Sequence, residues 1–137
     1  MGSDSKVLIN PPGTEKTYER LQFSQAVRAG SMLWVSGQVG IDEHGKAADG
    51  IEAQARSAFA NLKHVLAEAG AGLEDIVEIV SYHTTMKGIG KFLKVKAEFI
   101  PSDFPAWTAV GVTELVMPEL LCEIRATAVI KSGRPQA

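Results

Sequence analysis

The sequence predicts a single α+β domain in which one sheet carries its helices on one face. A chain of 137 residues is long enough for one hydrophobic core and too short for two. β-rich runs near both ends of the chain enclose two segments with helical periodicity. Their order, a β-hairpin, helix, strand, helix, strand and strand, contains a strand–helix–strand unit that places its helix against a sheet. We predict the domain over residues 18–131, an N-terminal arm over 1–17 and a C-terminal tail over 132–137.

The first predicted elements are an extended segment and a hairpin. The arm contains Pro11-Pro12-Gly13, which favours irregular structure, and an extended stretch around Leu8. Residues 23–28 and 32–36 suit two strands that reverse at Ala29-Gly30-Ser31.

Two amphipathic helices follow the hairpin. Asp49 and Glu52 have the spacing of a capping box, which predicts a helix start with Asp49 as N-cap, and Gly70 predicts its end. The apolar stripe of this helix comprises Ile51, Ala55, Phe59, Leu62, Leu66 and Ala69. Residues 88–100 predict the second helix, which Pro101 ends. Its lysines (Lys87, Lys91, Lys94 and Lys96) are interpreted as a solvated face.

The remaining β-rich segments are residues 75–85, 107–112 and 120–130. Both faces of the first are apolar enough to predict at least partial burial. In the last segment Cys122, Ile124 and Ala126 point one way, and Glu123 and Arg125 the other. Because both helices cover only one side, the other face of the sheet predicts self-association.

Composition excludes several classes of protein. The net charge of −2 gives no footprint for nucleic acid, and no apolar run approaches a membrane span of about 20 residues. Residues 1–5 lack the apolar region of a secretory signal. The single Cys122 excludes an internal disulfide and fits a reducing compartment, so we predict a cytoplasmic protein.

Glu123 and His83 are the candidates for chemistry. A carboxylate between Cys122 and Ile124 has to be solvated, paired or used: an ion pair with Arg125 and a general acid/base role remain open. His83 ends a strand, where it either reaches a cleft or is a hydrogen-bonded core residue. The three histidines form no metal-ligand pattern, so no metal is expected.

Several short motifs together resemble the Rid superfamily, also called the YjgF/YER057c/UK114 or endoribonuclease L-PSP family. They are Phe23-Ser24-Gln25-Ala26-Val27, Val35-Ser36-Gly37-Gln38-Val39, the helix from Gln54 to Gly70, Phe104-Pro105-Ala106 and Glu123-Ile124-Arg125-Ala126. The resemblance spans about residues 23–130 in the family's order. It implies a chorismate-mutase-like fold, a homotrimer with a central barrel, and a small-molecule cleft between subunits. Deaminases of the family hydrolyse enamines and imines to a 2-oxoacid and ammonia without a metal or organic cofactor.

The resemblance also assigns site residues. The family's water-activating glutamate falls on Glu123, and its cleft Ser-Gly on Ser36-Gly37. The arginine that grips the substrate carboxylate in the deaminases falls on Trp107. Two more polar or aromatic cleft positions, often tyrosine and asparagine, fall on Phe23 and Leu93.

The lost arginine predicts an altered substrate, because Trp offers one N–H donor and a π-face but no charge. We therefore expect an imine deaminase of shifted preference, with Glu123 and His83 as catalytic residues. The alternatives are a non-catalytic small-molecule-binding or protein-interacting trimer and, as a weaker hypothesis, a ribonuclease or translation inhibitor.

Overall fold

A computed structural model of the chain describes residues 5–131, so the predicted tail at 132–137 lies outside the described residues. The elements are β1 (Lys6–Ile9), α1 (Glu15–Leu21), β2 (Ala26–Ala29), β3 (Met32–Val39), α2 (Ile51–Glu68), β4 (Ile76–His83), α3 (Ile89–Phe99), β5 (Ala106–Gly111) and β6 (Cys122–Val129). The predicted order of hairpin, helix, strand, helix and two strands is confirmed from β2 onward.

The six strands form one mixed sheet in the order β1-β2-β3-β6-β4-β5. The last strand, β6, lies in the middle and pairs antiparallel with both β3 and β4. The edge strand β5 pairs parallel with β4, because α3 carries the chain back between them. The predicted α+β class with a strand–helix–strand unit is therefore confirmed.

The core lies between the sheet and helices α2 and α3. Phe59 of α2 is fully buried and packs on Phe92 and Phe99 of α3, with ring centroids 5.6 and 5.3 Å apart. Alternate residues of β6 enter the same core, as predicted from their spacing: Cys122, Ile124, Ala126 and Ala128 are buried.

The N-terminal region is more ordered than the predicted arm. β1 joins the sheet by pairing antiparallel with β2, so that Ile9 lies opposite Ala26. Helix α1 was not predicted, and none of its residues is buried. A seven-residue helix without a buried face has no apolar stripe for sequence analysis to find.

The start of α2 also differs from the prediction. Gly50, not Asp49, is the N-cap, with φ +88°, and no side chain caps the helix. The predicted end at Gly70 is confirmed, since this residue has φ +80°, a conformation that glycine adopts without a Cβ penalty.

The sheet face away from α2 and α3 is partly apolar. Trp34, Val110 and Val129 are exposed there, while Val80 and Tyr82 of β4 are half-buried, as predicted. Among residues 5–131, no helix has the length and apolarity that crossing a membrane requires.

Candidate functional site

A bulge in β3 brings Gly37 against Glu123. The pairing of β3 with β6 shifts register between Val35 and Gln38, so two residues, Ser36 and Gly37, interrupt the regular ladder. A Cβ at position 37 would overlap Oε2 of Glu123 and lie 2.7 Å from its Cδ. Gly37 has no positive φ, so glycine is required here for close approach and not for a turn.

The Glu123 carboxylate is half-buried and has no partner in the part of the chain that the structure describes. It lies on the open face of the sheet, between Val39 of β3 and Tyr82 of β4 in register. Within residues 5–131 the carboxylate makes no hydrogen bond or ion pair, and burial raises the pKa of Glu123. The ion pair considered with Arg125 is wrong, because Nε of Arg125 donates to the Tyr82 hydroxyl at 3.0 Å.

Ser36 is held in place from the segment that precedes β2. Its hydroxyl donates to the Ser24 carbonyl at 2.7 Å, and its backbone N–H donates to the Gln25 carbonyl at 2.9 Å. The hydroxyl proton is therefore used, which leaves the oxygen as an acceptor for a ligand. Phe23 adjoins Ser24 and is exposed, but it precedes β2 and is not within the strand that we predicted to start there.

A buried amide that sequence reasoning missed supports this bulge. Gln38 is 6% exposed, and its Nε2 donates to Oε1 of Gln25 at 3.0 Å and to the Ser36 carbonyl at 3.2 Å. The only signal in the sequence was a polar residue directly after Ser36-Gly37. The structure thus places Gly37 against Glu123, with Ser36 beside Gly37 in the bulge and Gln38 next to them; the roles predicted for these residues stay predictions.

Trp107 lies on the other face of the sheet. In register with Ile79 of β4, it turns toward α3, where its Nε1 donates to the Ser81 hydroxyl at 2.8 Å. Its ring stacks on Phe92 with centroids 6.0 Å apart. Trp107 and Glu123 are therefore on opposite faces, and a single chain does not bring these two predicted site residues together.

His83 is likewise on the helix side, in register with Cys122. It is 1% exposed, its ring meets Phe92 edge-on at 4.7 Å, and its Nε2 is 2.8 Å from the Ser81 hydroxyl. Burial lowers the pKa of His83, which favours the neutral ring. The expected proton shuttle beside Glu123 does not form within one chain, and the hydrogen-bonded core alternative describes the observed position.

The hydroxyl of Ser81 links Trp107 to His83. Trp107 can only donate, so the Ser81 oxygen accepts from it, and the same hydroxyl lies 2.8 Å from Nε2 of His83. The other ring nitrogen, Nδ1, is buried and has no hydrogen-bond partner in the described part of the chain.

Helix α3 adds a cation that the sequence did not reveal. Nζ of Lys96 lies 4.8 Å from the Trp107 ring centroid, and the residue is only 5% exposed. The solvated face predicted for the lysines is confirmed for Lys91 and Lys94, which are exposed, and is wrong for Lys96. Leu93, one turn earlier on α3, is 48% exposed.

Other candidate chemistry is weaker. Burial raises the pKa of Cys122 to about 12, which makes its thiol a poor nucleophile. Among residues 5–131, no three His, Cys, Asp or Glu side chains group closely enough to hold a metal ion. A depression of about 350 Å³ between the ends of α2 and α3, lined by Lys63, Phe99 and Asp103 among others, contains none of the predicted site residues.

Comparison with known proteins gives a consistent result. The endoribonuclease L-PSP family matches residues 14–130. The RutC family protein YjgH of Escherichia coli K12 is 39% identical over 112 residues, which cover 80% of this chain and 86% of that protein. A 2-iminobutanoate/2-iminopropanoate deaminase of Dermatophagoides farinae is 34% identical over 95 residues, 68% of this chain and 74% of that protein.

Solved structures show the same fold. The structure of protein YJGH has a TM-score of 0.84 at 36% identity and covers 93% of this chain and 98% of that one. Rv2704 of Mycobacterium tuberculosis, described as a member of the YjgF/YER057c/UK114 family, has a TM-score of 0.81 at 30% identity, with 92% and 100% coverage.

Proposed function

This chain belongs to the endoribonuclease L-PSP family, the YjgF/YER057c/UK114 group, and we propose that it hydrolyses reactive enamines or imines to a carbonyl compound and ammonia. One observation carries the proposal: a half-buried carboxylate, Glu123, lies against Gly37 with no partner among residues 5–131. The name of the Dermatophagoides farinae relative supports the reaction class.

In the proposed reaction, Glu123 acts as general base and then as general acid. Its carboxylate takes a proton from water as the water oxygen bonds to the iminium carbon, forming a carbinolamine. The carboxyl then returns this proton to the nitrogen, the C–N bond breaks with release of ammonia, and the hydroxyl gives its proton to solvent water as the carbonyl forms. A carboxyl whose pKa is raised by burial suits both steps, because it gains and loses a proton nearer to neutral pH.

Ser36 and the Gly37 backbone would bind the substrate beside this carboxylate. The Ser36 oxygen is available to accept a hydrogen bond from a protonated imine nitrogen, since its own proton is donated to Ser24. Phe23 would close this side with an exposed aromatic ring.

We further propose that the cleft forms between copies in a homotrimer. Glu123 and Trp107 face opposite sides of one sheet, so they can line one cleft only if they come from different copies. The exposed apolar residues Trp34, Val110 and Val129 provide surface for such association. Light scattering coupled to size-exclusion chromatography should give the mass of three chains; a monomer would contradict the cleft.

Ammonia release from imines generated in situ by an amino-acid oxidase tests the reaction. Glu123→Gln should abolish the acceleration over the uncatalysed rate. Glu43→Gln, a control that removes an exposed carboxylate from the loop before α2, should not change it. Equal rates for the wild type and Glu123→Gln would overturn the catalytic role.

A second candidate is a non-catalytic small-molecule-binding trimer. Its specific support comes from three cleft positions at which the resemblance implies tyrosine, asparagine and arginine. They are Phe23, Leu93 and Trp107 here, and none of the three carries a charge. Ligand binding unchanged by Glu123→Gln, with no ammonia released from any imine tested, would favour this candidate over the enzyme.

A further inference from the structure

Lys96 is a buried cation in a chain whose other α3 lysines are exposed. It is 5% exposed, whereas Lys91 and Lys94 on the same helix are in solvent. Lysine is almost never this buried unless its charge is paired. The position of Lys96 therefore calls for a physical reason.

Aromatic rings partly provide one. Nζ of Lys96 lies 4.8 Å from the centroid of Trp107 and 5.8 Å from that of Phe104. The Trp107 ring is fixed by its hydrogen bond to Ser81 and by its stacking on Phe92. Such contacts attract the charged ammonium, so they favour a cation at this position over a neutral amine.

The rings offer no hydrogen-bond acceptor. In the described part of the chain, Lys96 makes no ion pair and no side-chain hydrogen bond. Burial without a counterion lowers the pKa of Lys96. A buried ammonium with three donors and no oxygen partner among residues 5–131 favours an anion that these residues do not supply.

We propose that Lys96 binds the carboxylate of the substrate, taking over at Trp107 the charge that an arginine carries in related deaminases. The inference rests on the proposed function, and it adds the group of this chain that holds the carboxylate when the substrate is a 2-imino acid. Trp107 is then the surface that positions the ammonium and is not itself the anion-binding group. One ammonium replaces a two-pronged guanidinium, so the carboxylate is held by a point charge with less directional preference.

The surroundings of Lys96 narrow this class to imino acids with apolar side chains. Phe104 is 71% exposed, and its ring centroid lies 5.8 Å from the ammonium. Leu93, three residues before Lys96 on α3, is 48% exposed. Large exposed apolar groups beside a single cation suit a ligand with one anionic end and one apolar end.

Calorimetry with two matched probes tests the proposal independently of turnover. The probes are 4-methyl-2-oxopentanoate and 4-methylpentan-2-one, which share the apolar chain and ketone and differ in the carboxylate. Lys96→Met should weaken binding of the oxoacid about 30-fold or more and leave the ketone unchanged. Lys91→Met, the exposed control on α3, should alter neither, and Lys96→Arg should retain most of the oxoacid affinity.

Several results would overturn the inference. One is that Lys96→Met binds the oxoacid with wild-type affinity. Another is that Lys96→Arg loses as much oxoacid affinity as Lys96→Met, which would show that a positive charge at this position does not hold the carboxylate. Dissociation of the oligomer in Lys96→Met would show that another copy supplies the anion. Thermal unfolding controls for folding, and Lys96→Met should be at least as stable as wild type, because it removes an uncompensated buried charge.

The two proposals fail in different ways. If Lys96→Met keeps deaminase activity with an unchanged KM for imino acids, the proposed function stands and the carboxylate-binding role of Lys96 is refuted. If oxoacid binding depends on Lys96 but no imine releases ammonia, Lys96 still forms an anion-binding site and the proposed deaminase activity is refuted.

Discussion

Replacing Gly37 by alanine should inactivate the site and leave the fold intact. The added methyl carbon would lie 2.7 Å from Cδ and 3.2 Å from Cγ of Glu123. Carbon atoms in ordinary contact are about 3.5–4.0 Å apart, so the carboxylate must retreat by about 1 Å. A displacement of that size at a reacting group lowers the rate about 100-fold.

Stability should change little in Gly37→Ala. The backbone of Gly37 has no positive φ, and the atoms that an added methyl meets are the end of a flexible side chain. Gly40→Ala provides the matched control, because its methyl would lie 2.6 Å from Cα of Gln54, in the backbone of α2. Overpacking of this kind costs about 1–3 kcal/mol, so this variant should lose at least a few degrees of Tm.

The assay combines ammonia release with thermal unfolding. Gly37→Ala should keep the wild-type Tm within a few degrees and lose kcat, while Gly40→Ala should lose Tm. A Gly37→Ala protein with kcat within about twofold of wild type would refute the claim that the Glu123 carboxylate is positioned by this contact.

Four further predictions concern protonation and the core. Because burial raises the folded-state pKa of Glu123, its charged form opposes folding at neutral pH, and Glu123→Gln should raise Tm near pH 7. This gain in Tm should disappear as the pH falls below 4.5, the ordinary pKa of a glutamate. A gain that persists in acid would contradict the prediction. The same shift should place the acid limb of the kcat/KM profile above pH 4.5, and a limb at or below that value would argue against Glu123 as the base. With a pKa of about 12, the Cys122 thiol should resist iodoacetamide at pH 8 until guanidinium unfolds the protein; rapid labelling of the native state would refute its burial. Phe59→Ala should destabilise the fold by about 3–5 kcal/mol in urea titrations, with Phe59→Leu losing clearly less, and equal losses would show that volume at this site is unimportant.

The parts of the fold that sequence predicted are those with a repeating apolar pattern. The stripe through Phe59 and the alternation through Ile124 each have one buried face, which imposes the spacing that reveals the element. Helix α1 buries no residue, so nothing in its sequence distinguishes it from a polar loop. The cap at Gly50 was missed because the capping-box spacing of Asp49 and Glu52 predicted a side-chain cap. In the structure no side chain caps the first turn of α2.

The site divides in the same way. Glu123 and Gly37 were predictable because a carboxylate in an apolar strand and a glycine at a strand end are unusual locally. The burial of Lys96 depends on the rings of Trp107 and Phe104, which are brought to it by the return of β5 beside β4. Likewise, Trp107 and Glu123 point to opposite faces of the sheet because of the strand register, which residue types alone do not specify.

The placement of Glu123 and Lys96 on opposite sides of one sheet has a consequence for evolvability. The carboxylate is constrained by a central strand and by the close approach of Gly37, so few substitutions there are neutral. Lys96 belongs to a helix, Trp107 to an edge strand and Phe104 to the loop that precedes this strand, where side chains can change without disturbing β3 or β6. A library randomised at these three positions should therefore contain many folded variants, some of them with new substrate preferences. A library randomised around Ser36 and Glu123 should contain mostly inactive variants.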